Sequence, residues 1–176
     1  MAEKSREKPI EMDDDNFFMS LAFLTSDRSK DPVTQVGACV VKDGILISTG
    51  YNGMPWGCSD DILPWDGTAK NEEENKRPYV CHAEFNAFVN RGDKDLSGCT
   101  LYTGLFPCKD CAKLIVQTGI TTVVYMSDKH KEKKKYIIAR DILEKANVEV
   151  REFVPTYSKL TLKSSATQNP FTASQK

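Results

Sequence analysis

Two short motifs, His82-Ala83-Glu84 and Pro107-Cys108-Lys109-Asp110-Cys111, constrain the fold of this chain more than any other feature. Between them they offer three side chains that bind zinc and one carboxylate with no such duty. Structural zinc sites take four protein ligands, whereas hydrolytic zinc takes three and keeps its fourth tetrahedral position for water. Cys108 and Cys111 are three residues apart, so a helix places both sulfurs on one face, and a helix start favours their thiolates. Pro107 suits the position before that helix, where its missing N–H costs nothing. His82 also opens a helical segment, so the fold must bring two helix starts to one point. Two thiolates and a neutral imidazole leave Zn²⁺ roughly uncharged, which suits activation of water. Glu84 lies two residues from His82, a spacing that separates side chains in mid-helix but that an irregular first turn accommodates. Taken singly the residues say less. A lone histidine is more often a satisfied buried residue, and a lone C-x-x-C also suits redox chemistry or a structural zinc site.

The remaining sequence reads as one soluble domain. The chain has 176 residues, 40% hydrophobic and 28% charged, enough for a substantial core. No apolar run approaches the length of a bilayer span, and the first fifteen residues are too charged for a signal peptide, so a cytoplasmic protein is expected. Cys39, Cys58, Cys81 and Cys99 form no disulfide framework and read as reduced thiols. The net charge of −1 offers no excess to neutralise a polynucleotide, and Arg77, Arg91 and the basic run at 129–135 are scattered. That run reads as a solvated helix entry and His130 as a surface residue.

Hydrophobic periodicity predicts helices over residues 16–29, 82–90, 108–117 and 133–146, and strands over 36–41, 45–49, 100–103, 121–126 and 148–154. In the first helix Phe17, Phe18, Leu21, Ala22 and Leu24 should share the buried face, with Asp14 to Asn16 as cap candidates; in the second, Phe85, Phe88 and Val89 should point inward. Asp43-Gly44 marks a tight hairpin between the first two strands, and Gly119 ends the third helix. The order αββαβαβαβ implies an α/β fold: a five-stranded mixed sheet with right-handed crossovers and helices on both faces. Residues 50–78 make an unusually long irregular connection, which points to function. The expected division is a charged segment at 1–15, a catalytic domain at 16–154 and a polar, mobile tail at 155–176.

The H-x-E…P-C-x-x-C combination is a signature of zinc nucleobase deaminases. Together with Gln35-Val36-Gly37-Ala38, Gly50-Tyr51-Asn52-Gly53-Met54-Pro55, Arg28-Ser29-Lys30-Asp31-Pro32 and Cys58-Ser59-Asp60-Asp61, it resembles the deoxycytidylate deaminases over residues 16–154. The resemblance implies a cytidine-deaminase-like three-layer α/β/α fold and hydrolysis of dCMP to dUMP and ammonia, feeding thymidylate synthesis. It implies zinc held by His82, Cys108 and Cys111, with Glu84 protonating N3 and then the departing amine. It further implies contacts from Asn52 to the sugar and from the Ala83 backbone to the base. Such enzymes are homohexamers activated by dCTP with Mg²⁺ and inhibited by dTTP; Arg28, Lys30, Gly53 and Met54 are the candidates for effector or phosphate contacts. Arg28 equally suits an exposed helix C-terminus, and Asn52-Gly53 a simple turn. Two rival functions share the motif: deamination of another nucleoside or of a tRNA adenosine, and a non-catalytic zinc-stabilised nucleotide sensor. The presence of Glu84, outside the metal ligands, favours chemistry over the sensor.

Overall fold

The computed structural model describes residues 12–59 and 61–156. Most of the segment 1–15 and of the tail 155–176 therefore lies outside the described residues. Five strands, β1 (Gly37–Lys42), β2 (Ile45–Tyr51), β3 (Thr100–Leu105), β4 (Thr122–Ser127) and β5 (Glu149–Glu152), form one sheet in the order β2-β1-β3-β4-β5. β1 runs antiparallel to both β2 and β3, whereas β3, β4 and β5 run parallel, giving the mixed sheet the pattern predicts. Asp43 and Gly44 take φ of 51° and 73°, the left-handed pair a two-residue hairpin requires, and Lys42 pairs with Ile45.

Among the described residues four α-helices cover the sheet: α1 (Asp14–Ser26), α2 (Ala83–Val89), α3 (Lys109–Gln117) and α4 (Lys134–Lys145). Strand alternation sorts the core into two layers. Ala38, Val40, Leu101 and Val123 face α2, α3 and α4 through Ala87, Phe88, Ala112, Ile115, Ala139 and Leu143. Cys39, Val41, Tyr102 and Val124 face α1 through Phe18, Met19 and Ala22. Each fully buried aliphatic side chain contributes about 1.5–3 kcal/mol, so either layer outweighs any single polar contact.

The helix starts differ from expectation at α1. Its cap is Asp13, whose carboxylate accepts the Asn16 N–H at 2.8 Å, so the helix reaches into the segment set apart by composition. Asp15 then accepts from the Tyr102 hydroxyl at 2.8 Å and pairs with Arg151, tying α1 to β3 and β5.

The buried faces of α1 and α2 also differ. Phe17, Leu24, Phe85 and Val89 are exposed, and the faces toward the sheet are Phe18, Met19 and Ala22 in α1 and Ala83, Ala87 and Phe88 in α2. Glycine sets this phase. A Cβ on Gly37 would lie 1.9 Å from the Ala22 carbonyl oxygen, and one on Gly50 would lie 2.2 Å from the Ala87 nitrogen and 2.3 Å from the Ala83 oxygen. Both helices thus rest backbone to backbone on their strands, and only small residues fit beneath them. Gly37→Ala and Gly50→Ala should each destabilise the fold by about 3 kcal/mol or more. Gly104→Ala, where the first heavy atom lies 3.9 Å away, should change the urea midpoint little.

Candidate metal centre and substrate cavity

The two motifs meet at the ends of α2 and α3. His82 and Cys108 are the N-cap residues of these helices, and neither side chain caps its own helix, so both remain available to a ligand. Cys111 and Glu84 each follow within the first turn. His82 stands just outside α2 with extended backbone, which is why its ring and the Glu84 carboxyl converge despite their two-residue spacing. Arg140 of α4 pairs with Asp128 and lies 4.2 Å over the Phe106 ring, bracing the strand end that precedes Pro107 and Cys108.

His82 Nδ1 lies 3.5 Å from Cys108 Sγ and 3.4 Å from Cys111 Sγ, and the three ligand atoms fall within 4.8 Å of one another. A tetrahedral zinc with ordinary Zn–N and Zn–S bonds sets an N···S edge of about 3.6 Å, so the donor set fits that ion. A hydrogen bond from Cys111, with help from His82, brings the Cys108 thiol down to about 3 against the cost of burial. The hydrogen bond with Cys108 and burial raise the Cys111 thiol well above its ordinary range. The hydrogen bond with Cys108 also raises His82.

Glu84 is buried, with Oε2 3.6 Å from Cys111 Sγ, and burial raises its carboxyl above the ordinary range although His82 opposes the shift. A carboxylate so tuned exchanges protons nearer neutral pH.

Above the centre opens a cavity of about 750 Å³. Its lining includes Glu84, Ala83 and Asn52, so the expected base and sugar contacts share one space with the metal cluster. The long connection contributes Trp65, Asp66, Gly67, Thr68, Lys76 and Arg77, in keeping with a functional role. Asn52 is more constrained than a free sugar ligand. Its Nδ2 donates to Asp31 Oδ2 at 3.2 Å and the Thr34 carbonyl at 3.0 Å, while Oδ1 accepts the Val36 N–H at 2.8 Å. Both amide protons are spent, and a lone pair on Oδ1 remains to accept a hydroxyl.

The effector candidates lie elsewhere. Arg28 stacks 5.3 Å from the Tyr51 ring and lines a separate hollow of about 380 Å³ with Leu24, Thr25, Thr49 and Asn90. Lys30 is exposed. Gly53 spends its N–H and carbonyl on Cys81, so its amide is unavailable to a phosphate; Met54 is half-buried beside it.

Two readings of the basic residues need correction. His130 is half-buried, stacked 5.4 Å from Tyr136, and lines the main cavity. Arg77 and the 129–135 run are remote in sequence, yet Arg77, Lys133 and Lys135 meet at the cavity mouth. Lys135 is near enough to His82 to oppose its protonation, and Arg77 acts on the Tyr136 hydroxyl, which burial pushes up to about 12. Sequence gave a visible signal for the lysine run but none for its convergence with Arg77. It gave none either for Asp31 and Lys76, 45 positions apart, whose side chains form a buried ion pair on the cavity wall.

Comparison with known proteins agrees with this geometry. A family model described as the cytidine and deoxycytidylate deaminase zinc-binding region matches residues 12–127. The chain is 51% identical over 147 residues to the deoxycytidylate deaminase of Mus musculus and 50% identical to that of Homo sapiens, covering 83% of this chain and of each relative. Among solved structures, the dCMP deaminase of cyanophage S-TIM5 in complex with dCMP and dUMP superposes with a TM-score of 0.63 at 30% identity. That match covers 78% of this chain and 94% of the phage protein.

Cys108→Ser and Cys111→Ser should each lower zinc content of the purified protein by at least about tenfold, read by metal analysis. Chelation of the wild type should lower its melting temperature, and added zinc should restore it.

Proposed function

We propose, from the premise that the chain belongs to the cytidine and deoxycytidylate deaminase family, that it hydrolyses dCMP to dUMP and ammonia. The observation that carries this reading is the cluster of His82, Cys108 and Cys111 beside a buried Glu84, with His82, Cys108 and Glu84 lining one cavity. Zinc, when bound by those three ligands, supplies Lewis acidity toward water at a fourth, open position. Glu84 takes the proton that this water releases, delivers it to N3 of cytosine, and then carries a second proton to the amine leaving C4. Water supplies the new carbonyl oxygen and ammonia departs, so the step balances without a further reactant. The Ala83 backbone meets the base and Asn52 accepts from the sugar.

A monophosphate is favoured over a free nucleoside by charge. The cavity mouth carries Arg77, Lys133 and Lys135 against Asp66, while Asp31 is neutralised by Lys76, so three cations face one unpaired carboxylate and the rim presents net positive charge to a nucleotide. The family resemblance extends the proposal to dUMP supply for thymidylate synthesis, a homohexamer, cytoplasmic location, activation by dCTP with Mg²⁺ and inhibition by dTTP. The hollow at Arg28 is the candidate place for an effector. No helix among the described residues is long and apolar enough to cross a membrane.

The decisive experiment measures ammonia release from dCMP, deoxycytidine and cytidine, each with and without dCTP and Mg²⁺. Turnover confined to dCMP and raised by dCTP supports the proposal in full; a zinc-loaded protein silent on dCMP would sink it in favour of the sensor or another deaminase. Glu84→Gln should retain zinc and fold while losing at least about a thousandfold in kcat. Neutralising Arg77, Lys133 or Lys135 should lower kcat/KM for dCMP by about tenfold and leave residual deoxycytidine turnover unchanged.

A further inference from the structure

Asp31 is a carboxylate with almost no access to solvent. Its side chain is 2% exposed, and four groups converge on it: the Val33 and Thr34 N–H groups at 2.9 and 3.0 Å, Asn52 Nδ2 at 3.2 Å, and Lys76 Nζ at 2.6 Å from both oxygens. Lys76 is itself largely covered, its side chain 14% exposed. Burial works against ionisation of Asp31, but the bonds from Lys76 and the two amides more than offset it and hold the carboxyl below its ordinary range.

The pair joins segments that are otherwise unconnected in sequence. Lys76 donates its backbone N–H to the Asp66 carbonyl at 2.8 Å, and a Cβ on Gly67 would stand 3.1 Å from Lys76 Cε, so residues 66–68 lie over the lysine stem. On the other side, Asp31 and the Thr34 carbonyl take both protons of the Asn52 amide, while Val36 N–H takes one lone pair of its oxygen. This network leaves one orientation for that amide, oxygen toward Val36. Asp31, Asn52, Gly67, Thr68 and Lys76 all line the cavity that Glu84 floors. A force line therefore runs from the loop at 66–68 through Lys76 and Asp31 to Asn52.

We propose that the Lys76–Asp31 pair is a positioning strut for the sugar end of the site, fixing the Asn52 amide and the 66–68 limb together. This rests on the reading of the cavity as a nucleotide deaminase site. Neither residue touches the reacting atoms, so the strut governs how the nucleotide is held and leaves the chemistry at Glu84 alone. Removing one partner leaves the other buried and unpaired, which the structure relieves by admitting water or releasing the loop. A purely architectural ion pair would behave differently. Its loss would lower stability and leave the Michaelis constant unchanged.

The test uses the full chain loaded with zinc. Lys76→Met should raise KM for dCMP by about tenfold while kcat stays within about threefold and zinc content is unchanged. Lys76→Gln, one bond shorter and uncharged but still polar, provides the same test should Lys76→Met fail to fold. Lys76→Arg, able to pair with both carboxylate oxygens, should restore KM to near the wild-type value. Amide hydrogen exchange over residues 65–76 gives a readout independent of turnover, and it should accelerate in Lys76→Met and Lys76→Gln but not in Lys76→Arg. Wild-type KM in both neutral variants, with only a lower melting temperature, overturns the strut; so does a fall in kcat accompanied by loss of zinc. A wild-type protein inactive on dCMP would refute the functional reading, and the exchange rates alone would then decide the strut: unchanged exchange in the neutral variants overturns it.

Discussion

The site depends first on how closely α2 approaches β2. With the Ala83 carbonyl and Ala87 nitrogen pressed against Gly50, the helix has no freedom to slide or roll. Its first residue is therefore delivered to a fixed place, and His82, as the cap, is delivered with it. The reciprocal bonds between Gly53 and Cys81 secure the same junction from the other side, pinning the segment after β2 to the residue before His82. A metal ligand on a loose loop would pay its ordering entropy each time the ion bound; here the backbone contact has already fixed it.

The second ligand pair follows from the parallel half of the sheet. β3, α3 and β4 form a crossover, so the turn between β3 and α3 opens at the carboxyl end of β3, where open α/β sheets place their ligands. Cys108 and Cys111 arise from that turn, and α2 lies on the same face of the sheet. The antiparallel half sets the histidine and the glutamate, and the parallel half sets the cysteines. The mixed topology is what allows both helix starts to address one point.

Much of this was legible from residues alone. Strand alternation, the Asp43-Gly44 turn and the order of elements led to the observed sheet because each is a local signal with one structural solution. The metal cluster was legible because Pro107, Cys108 and Cys111 carry their spacing within one turn of helix. What sequence misread was the phase of α1 and α2. Apolar periodicity points Phe17 and Val89 inward, but a helix lying against glycine backbone turns its small residues inward and leaves several large ones exposed. The cation rim and the Asp31–Lys76 pair were hidden for another reason. Both depend on contacts between distant segments, and a charge at 76 or 135 looks solvated until the fold supplies its neighbour.

The cavity wall divides its electrostatic labour by depth. At the floor, burial lifts Glu84 above the ordinary carboxylate range although His82 opposes the shift. Midway, Asp31 faces the opposite demand: it must stay ionised to hold Lys76 and Asn52, and two backbone amides and an ammonium keep it so. At the mouth, Arg77, Lys133 and Lys135 remain exposed, where their field reaches an approaching anion without a desolvation penalty of their own. Two carboxylates of one cavity thus take different roles because one is buried among apolar groups and thiols and the other among donors. Exchanging those surroundings would defeat both proposed roles: a permanently charged Glu84 could not deliver a proton, and a protonated Asp31 would lose its hold on the loop.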